Sequence, residues 1–179
     1  MEVRIRPWRK RDLADVQRIT WTSWLATYSS FIPEHDLRRY FDIHYTLQAL
    51  DRLYSSKGVH GFVAEVEGGL VGCEKTEFNA EEQRFYISSL HVLKEHQGKG
   101  IGGQLLRAAE ECAHRYDVDR VWLGVMVENV HALDWYKKLG FHFVEEAPFT
   151  MGATTARHLI GWKTINVNQS SAESTHHVE

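Results

Sequence analysis

Apolar residues along the chain recur with a period of two in some stretches and near 3.6 in others, and the switches predict the elements. Val3 to Arg6 alternates and predicts a short strand, stopped by Pro7. Asp12 stands where it can N-cap a helix carrying Leu13, Val16, Ile19 and Trp24 on one side. A second helical stretch follows Pro33, gathers Leu37, Tyr40 and Phe41, and continues to Tyr54. His60 to Val66 predicts a strand, Glu67-Gly68-Gly69 a tight hairpin turn, and Leu70 to Phe78 the partner strand. Arg84 to Leu93 is a further strand in which Phe85, Ile87 and Leu90 stand out. Ile101, Leu105, Ala109, Cys112, Ala113 and Tyr116 then fall at helical spacing, a face that needs a sheet to cover. Arg120 to Val127 is almost continuously apolar, as in a strand buried on both faces. Val130 to Leu139 predicts a short helix closed by Gly140, and Phe141 to Val144 and Ala156 to Ile165 the last two strands. This order predicts one mixed α/β domain over residues 1–165, with an antiparallel front half and a parallel crossover at its centre. Residues 166–179 are polar and predict a mobile tail, and no internal repeat occurs.

Length and composition narrow the picture without choosing a chemistry. A chain of 179 residues holds one domain with a sizeable core and is too short for two ordinary ones. A net charge of −3 disfavours nucleic acid or an anionic membrane as the main partner. No apolar run approaches a membrane span, and Met1-Glu2-Val3-Arg4-Ile5 does not open like a signal peptide. Cys73 and Cys112 form no Cys-x-x-Cys pair, so no disulfide framework is expected and the cytoplasm is the default compartment. Eleven histidines raise the question of a metal. There is no His-Glu-x-x-His, however, and His91 and His96 fall in a strand end and a loop rather than on one helical face. Solvated or locally bonded imidazoles, with no metal, are the expectation.

The chemistry concentrates in Gln97-Gly98-Lys99-Gly100-Ile101-Gly102-Gly103, between a strand and a long amphipathic helix. Glycines at alternate positions bare the backbone, so its amides can converge on an anion at the start of the helix. Gly98-x-Gly100-x-x-Gly103 satisfies the dinucleotide-binding fingerprint, and Glu128 can mimic its ribose-binding acid. The context disagrees: Leu93 to Gln97 separate strand from loop, and no further long βαβ unit follows. No Gly-Lys-Ser/Thr occurs, which excludes a P-loop. A purely structural turn rarely needs alternating glycines.

Gln97-x-x-Gly100-x-Gly102, preceded by Ser89-Leu90-His91-Val92 and followed by Leu105-Leu106, resembles the acyl-CoA loop of the GNAT N-acetyltransferases. Asn129, Ala132 and Tyr136-Lys137-Lys138-Leu139-Gly140-Phe141 follow in that family's order, so the likeness covers about residues 3–165. Val121-Trp122-Leu123-Gly124-Val125, the Asn129–Phe141 block and Phe149-x-Met151-Gly152 look like the bacterial spermidine/spermine acetyltransferases of the PaiA type. Trp24-x-x-x-Tyr28 and Ile32-Pro33 are common across the family and do not discriminate.

The resemblance implies the GNAT acyltransferase fold: a mostly antiparallel sheet, splayed at a parallel strand pair and flanked by helices. It implies acetyl-CoA as cosubstrate, held without metal, and a small-molecule amine as acceptor. Leu90, His91 and Val92 are then expected to pair through their backbone with the pantetheine arm, as an added strand would. Gln97, Gly98, Lys99, Gly100, Ile101, Gly102 and Gly103 are expected at the pyrophosphate, and Asn129 and Lys138 complete the cofactor set. Tyr136 is expected to return a proton to the departing thiolate as general acid. A glutamate that many relatives carry on the strand before the loop is replaced here by Ser88 and Ser89, which leaves Glu74, Glu77 and His91 as candidate bases. Glu34, Asp36, Glu74, Glu77 and Glu128 are the acids that a polyamine-binding cleft can draw on. A protein or peptide amine, an aminoglycoside, and an acyl-CoA-binding regulatory module without turnover stay open, and a homodimer is compatible with the resemblance.

Overall fold

The computed structural model describes residues 2–165; the polar tail from Asn166, expected to be mobile, lies outside them. The strands are β1 (Arg4–Pro7), β2 (Val59–Val66), β3 (Gly69–Asn79), β4 (Arg84–Val92), β5 (Arg120–Met126), β6 (His142–Met151) and β7 (Thr154–Thr164). They form one sheet in the order β1-β2-β3-β4-β5-β7-β6. Every neighbouring pair is antiparallel except β4 and β5. That parallel pair is joined only at Phe85–Val121 and Tyr86–Trp122, so the sheet splays beyond it, as the resemblance implied. The crossover between them is α4 (Ile101–Ala113), which covers one face of the sheet; α1 (Leu13–Tyr28), α2 (Glu34–His44) and α3 (Leu47–Tyr54) gather on the other.

Strand periodicity explains how both faces are buried. In β2, Val63 packs with Leu13, Val16 and Ile19 of α1, while its neighbour Ala64 packs with Ile101 and Leu105 of α4. The Glu67-Gly68 turn has positive φ at both residues (51° and 80°), the primed geometry whose twist matches a two-residue hairpin.

Three expectations need correction. Asp12 does not cap α1: its carboxylate accepts from the Arg9 amide at 2.7 Å and from the Arg6 guanidinium at 2.7 and 3.1 Å. A charge-assisted, two-pronged pairing with a nearly buried arginine outweighs one cap bond. The stretch from Pro33 to Tyr54 is two helices rather than one. The break lies at Tyr45, which turns into the aromatic cluster, and Thr46, whose hydroxyl accepts the Ala49 amide at 3.1 Å to start α3. Finally, β6 runs seven residues past Val144, to Met151. It is the edge strand, mostly exposed, with an extra residue at Val144 and Pro148 in its middle, so the period-two pattern is diluted.

The β6–β7 hairpin is tied to the front helices through Asp36. This buried carboxylate accepts from the Ala153 amide at 2.8 Å and the Thr154 hydroxyl at 2.7 Å, bonds that hold its pKa below the usual range. Gly152 allows the approach: a Cβ there would sit 2.2 Å from Asp36 Oδ1.

Candidate active site

Beyond Tyr86, β4 loses its parallel neighbour and leads into the glycine loop. Lys75 of β3 pairs with Ser89 but Thr76 with Ile87, so Ser88 is an extra residue, and such a bulge bends its strand. The bend falls where β4 leaves β5. A cleft of about 480 Å³ fills the divergence, walled by residues 87–91 of β4 and 123–126 of β5. Leu90, His91 and Val92 pair with Glu74, Cys73 and Gly72 on one side, and among the described residues no strand pairs with them on the other. The unpaired edge faces the gap.

A short 3-10 turn (Lys94–His96) follows, and then the loop doubles back onto itself. The Gln97 amide group donates to the Val92 carbonyl at 2.9 Å, and the Lys99 ammonium to the Glu95 carbonyl at 2.9 Å. These side chains therefore fold the loop. Gly98 and Gly100 have φ of +73° and +78°, which side-chain-bearing residues adopt only at a cost, and a Cβ at either would meet nothing within 4 Å. Gly100 caps α4 without a side chain, leaving the first-turn amides of Ile101, Gly102 and Gly103 without helical partners. Ile101 itself is buried in the core. Gly102 serves packing, because a Cβ there would lie 3.2 Å from the indole of Trp135.

Trp135 and Tyr136 belong to α5 (Val130–Lys138), which stands across the gap from β4. Asn129 caps this helix, accepting the Ala132 amide at 3.3 Å, and also lines the cleft. The Tyr136 ring is wedged between Trp135 and Phe141, with centroids 4.8 and 5.3 Å away. Burial, reinforced by nearby Tyr28 and Glu74, raises the pKa of its hydroxyl, which has no protein partner among the described residues. It keeps its proton at neutral pH and is free to donate it. Lys138 ends α5, exposed and outside the cleft lining.

The candidate bases separate sharply. Glu74 is not among the residues lining the cleft: it pairs in register with Leu90, out of phase with Lys75 and Glu77, is 1% exposed, both its carboxylate oxygens lack partners among the described residues, and desolvation pushes its pKa well up. A fully buried carboxyl outside the cleft lining is not placed to take the proton of an entering amine. The neutral carboxyl is favoured in the fold, so Glu74's contribution is whole below its unfolded pKa of about 4.3 and is lost as pH rises toward the raised folded value. Glu74→Gln cannot ionise. It is expected to gain stability relative to wild type between pH 4 and pH 8 in urea unfolding curves, with acetyl transfer little changed. His91 lines the cleft, but desolvation and the Lys75 charge bring its pKa down to about 4, so it is a neutral, weak base. Glu77 is exposed and lines the cleft. Of the five acids considered for a polycation, it alone does so; Asp36 is bound to the hairpin, Glu74 is buried outside the lining, and Glu34 and Glu128 are outside it too.

Sequence reasoning passed over two features of the cleft. Lys75 projects into it from β3, and the walls are rich in aromatic rings: Trp24, Tyr28, Tyr40, Tyr45, Tyr86 and Phe149. The signal for Lys75 was present, since Cys73-x-Lys75-x-Glu77 puts a lysine on the inward register of a half-buried strand. The described residues contain no group of three or more His, Cys, Asp or Glu arranged for a metal, and no helix long and apolar enough to cross a membrane.

A mixed sheet splayed at its parallel pair, with a glycine loop and a crossover helix after the unpaired edge, is the architecture that residues 84–126 build. Residues 15–141 match the acetyltransferase (GNAT) family, and the chain belongs to that family. It is 31% identical to the streptothricin acetyltransferase of Streptomyces lavendulae over 96 residues, 52% of this chain and 51% of the relative. It is 30% identical to the spermine/spermidine N(1)-acetyltransferase of Bacillus subtilis over 90 residues, 46% of this chain and 59% of the relative. The matched segment thus spans little more than half the length of these relatives. The PaiA N-acetyltransferase of Thermoplasma acidophilum, solved with coenzyme A, shares the fold: TM-score 0.79 over 92% of this chain and 99% of that one, at 22% identity.

Proposed function

We propose that the protein transfers an acetyl group from acetyl-CoA to a primary amine by direct attack. The observation that carries this is continuity: the unpaired edge of Leu90–Val92 leads directly to the bare amides of residues 98–103, with Tyr136 on the facing wall. The amides of Gly98, Lys99, Gly100, Ile101, Gly102 and Gly103, with the α4 dipole behind them, hold the pyrophosphate. The edge of β4 pairs with the pantetheine amides. Asn129 steadies the same arm from the cap of α5, and Lys138 offers its charge to the outer phosphate end of the ligand.

When bound, acetyl-CoA supplies an activated acetyl thioester. The acceptor nitrogen forms the bond to the acetyl carbon as the carbon–sulfur bond breaks, Tyr136 gives its proton to the leaving sulfur, and the proton that the nitrogen sheds in becoming an amide returns to Tyr136 through water. An alkylammonium must first lose a proton, which costs about 4–5 kcal/mol at pH 7. Glu77, the carboxylate in the cleft, takes that proton directly or through water. Aligned, buried groups then do the rest by positioning, and neither cysteine is needed as a nucleophile: burial raises the Cys73 thiol to about 12 and lifts that of Cys112 as well.

Isothermal titration with acetyl-CoA, paired with thiol release across polyamines, amino acids, peptides and aminoglycosides, tests the reading. Metal-independent binding with amine-dependent thiol release is expected. Binding with no release on any amine leaves a regulatory acyl-CoA sensor, and binding of NAD instead removes the reading altogether.

A further inference from the structure

The charge of the acceptor cleft is not that of a polycation site. Among the described residues its lining holds one carboxylate, Glu77, and one cationic side chain, Lys75, two residues apart on β3. Lys75 is half-buried and makes no ion pair or hydrogen bond among the described residues. Desolvation lowers its pKa, an effect that the Glu77 carboxylate opposes, and its own charge is felt by His91. In register it pairs with Ser89, beside the bulge at Ser88, where β4 leaves β5 and the acetyl group is to be transferred. An ammonium held half out of water with no direct ion pair costs free energy, and an anionic group on a ligand recovers it. An amine bearing several positive charges would instead bring like charges together there.

The remaining walls are apolar and aromatic. Trp24 lies at the centre of a set of rings, with centroids 5.0 Å from Tyr45, 5.9 Å from Tyr40 and 6.1 Å from Tyr28; Phe149 adjoins Tyr40 at 5.7 Å. Such walls suit a planar or branched apolar body.

We infer that the acceptor is an amine with a carboxylate close beside it on an apolar body, as in an aromatic or branched α-amino acid, and that Lys75 is the residue that docks the carboxylate. This rests on the acetyl-transfer reading above and deepens it. Lys75 anchors the anion, the rings around Trp24 take the side chain, and the amine is left toward Glu77 and the gap. Lys75 is thus a specificity residue, selecting against polyamines by charge.

The test compares kcat/KM for thiol release from acetyl-CoA with an aromatic amino acid, its methyl ester, the parent arylalkylamine and spermidine. A hydrogen-bonded charge pair of this kind predicts a loss of about 10- to 100-fold on removing the carboxylate. Lys75→Arg keeps the preference, Lys75→Met erases it, and Lys75→Glu turns it toward the ester and spermidine. Equal rates with acid and ester, or a preference for spermidine that Lys75→Met leaves unchanged, overturns the inference while acetyl transfer stands. Acetyl-CoA binding with no thiol release in any arm overturns acetyl transfer and this inference together.

Discussion

Gly100→Val is expected to weaken acetyl-CoA binding by about 100-fold or more while the protein still folds, with titration calorimetry and circular dichroism as the two measurements. Two effects combine. A β-branched residue at φ +78° is strained by about 1–3 kcal/mol, which loosens the start of α4. On the proposed reading its methyl groups would also take up space that the pyrophosphate needs beside the loop amides. The protein itself offers no obstacle, since a Cβ at position 100 meets nothing within 4 Å. The loss therefore reports the ligand's claim on that space. Gly100→Ala carries most of the strain and little of the bulk, so the gap between the two variants isolates the steric share. Unchanged affinity in Gly100→Val would remove the loop from the phosphate site.

Tyr136→Phe is expected to lower kcat by about 10²- to 10⁴-fold, the usual range for a positioned general acid. Acetyl-CoA affinity and thermal stability should barely move. The hydroxyl has no protein partner among the described residues, and phenylalanine keeps the ring contacts with Trp135 and Phe141. Because burial raises the phenol above its ordinary value of 10.0, wild-type kcat should show no basic limb from this group below that pH. Equal losses in kcat and in acetyl-CoA affinity would make Tyr136 a packing residue. The two variants thus separate binding from chemistry, one at the start of α4 and one on the α5 wall of the gap.

Much of the fold was legible because the chain obeys local rules. The Glu67-Gly68 hairpin, the apolar run of β5 and the glycine that ends α5 each carry their own signal, and each stands where the pattern predicted. The errors fall where a distant partner overrides a local preference. Asp12 abandons its cap for Arg6; Tyr45 breaks a helix to enter the aromatic cluster; β6 follows β7 well past the end of its own pattern.

The site divides along the same line. Backbone chemistry was readable, since alternating glycines before an amphipathic helix announce bare amides whatever the surroundings. Side-chain chemistry was not, because burial and facing set it. Glu74 and Glu77 look alike in a strand written Cys-Glu-Lys-Thr-Glu, yet one is fully buried outside the cleft lining, where desolvation raises its pKa, and the other lines the cleft. Lys75 lies between them on the cleft side. By itself, then, the sequence determined a mixed α/β domain of the GNAT family with a glycine loop whose backbone is bare before an amphipathic helix. Only the tertiary structure decided which strand residues share a cleft, because facing depends on register and on the single extra residue at Ser88. That register leaves one carboxylate, one lysine and a ring of aromatic walls to choose the amine.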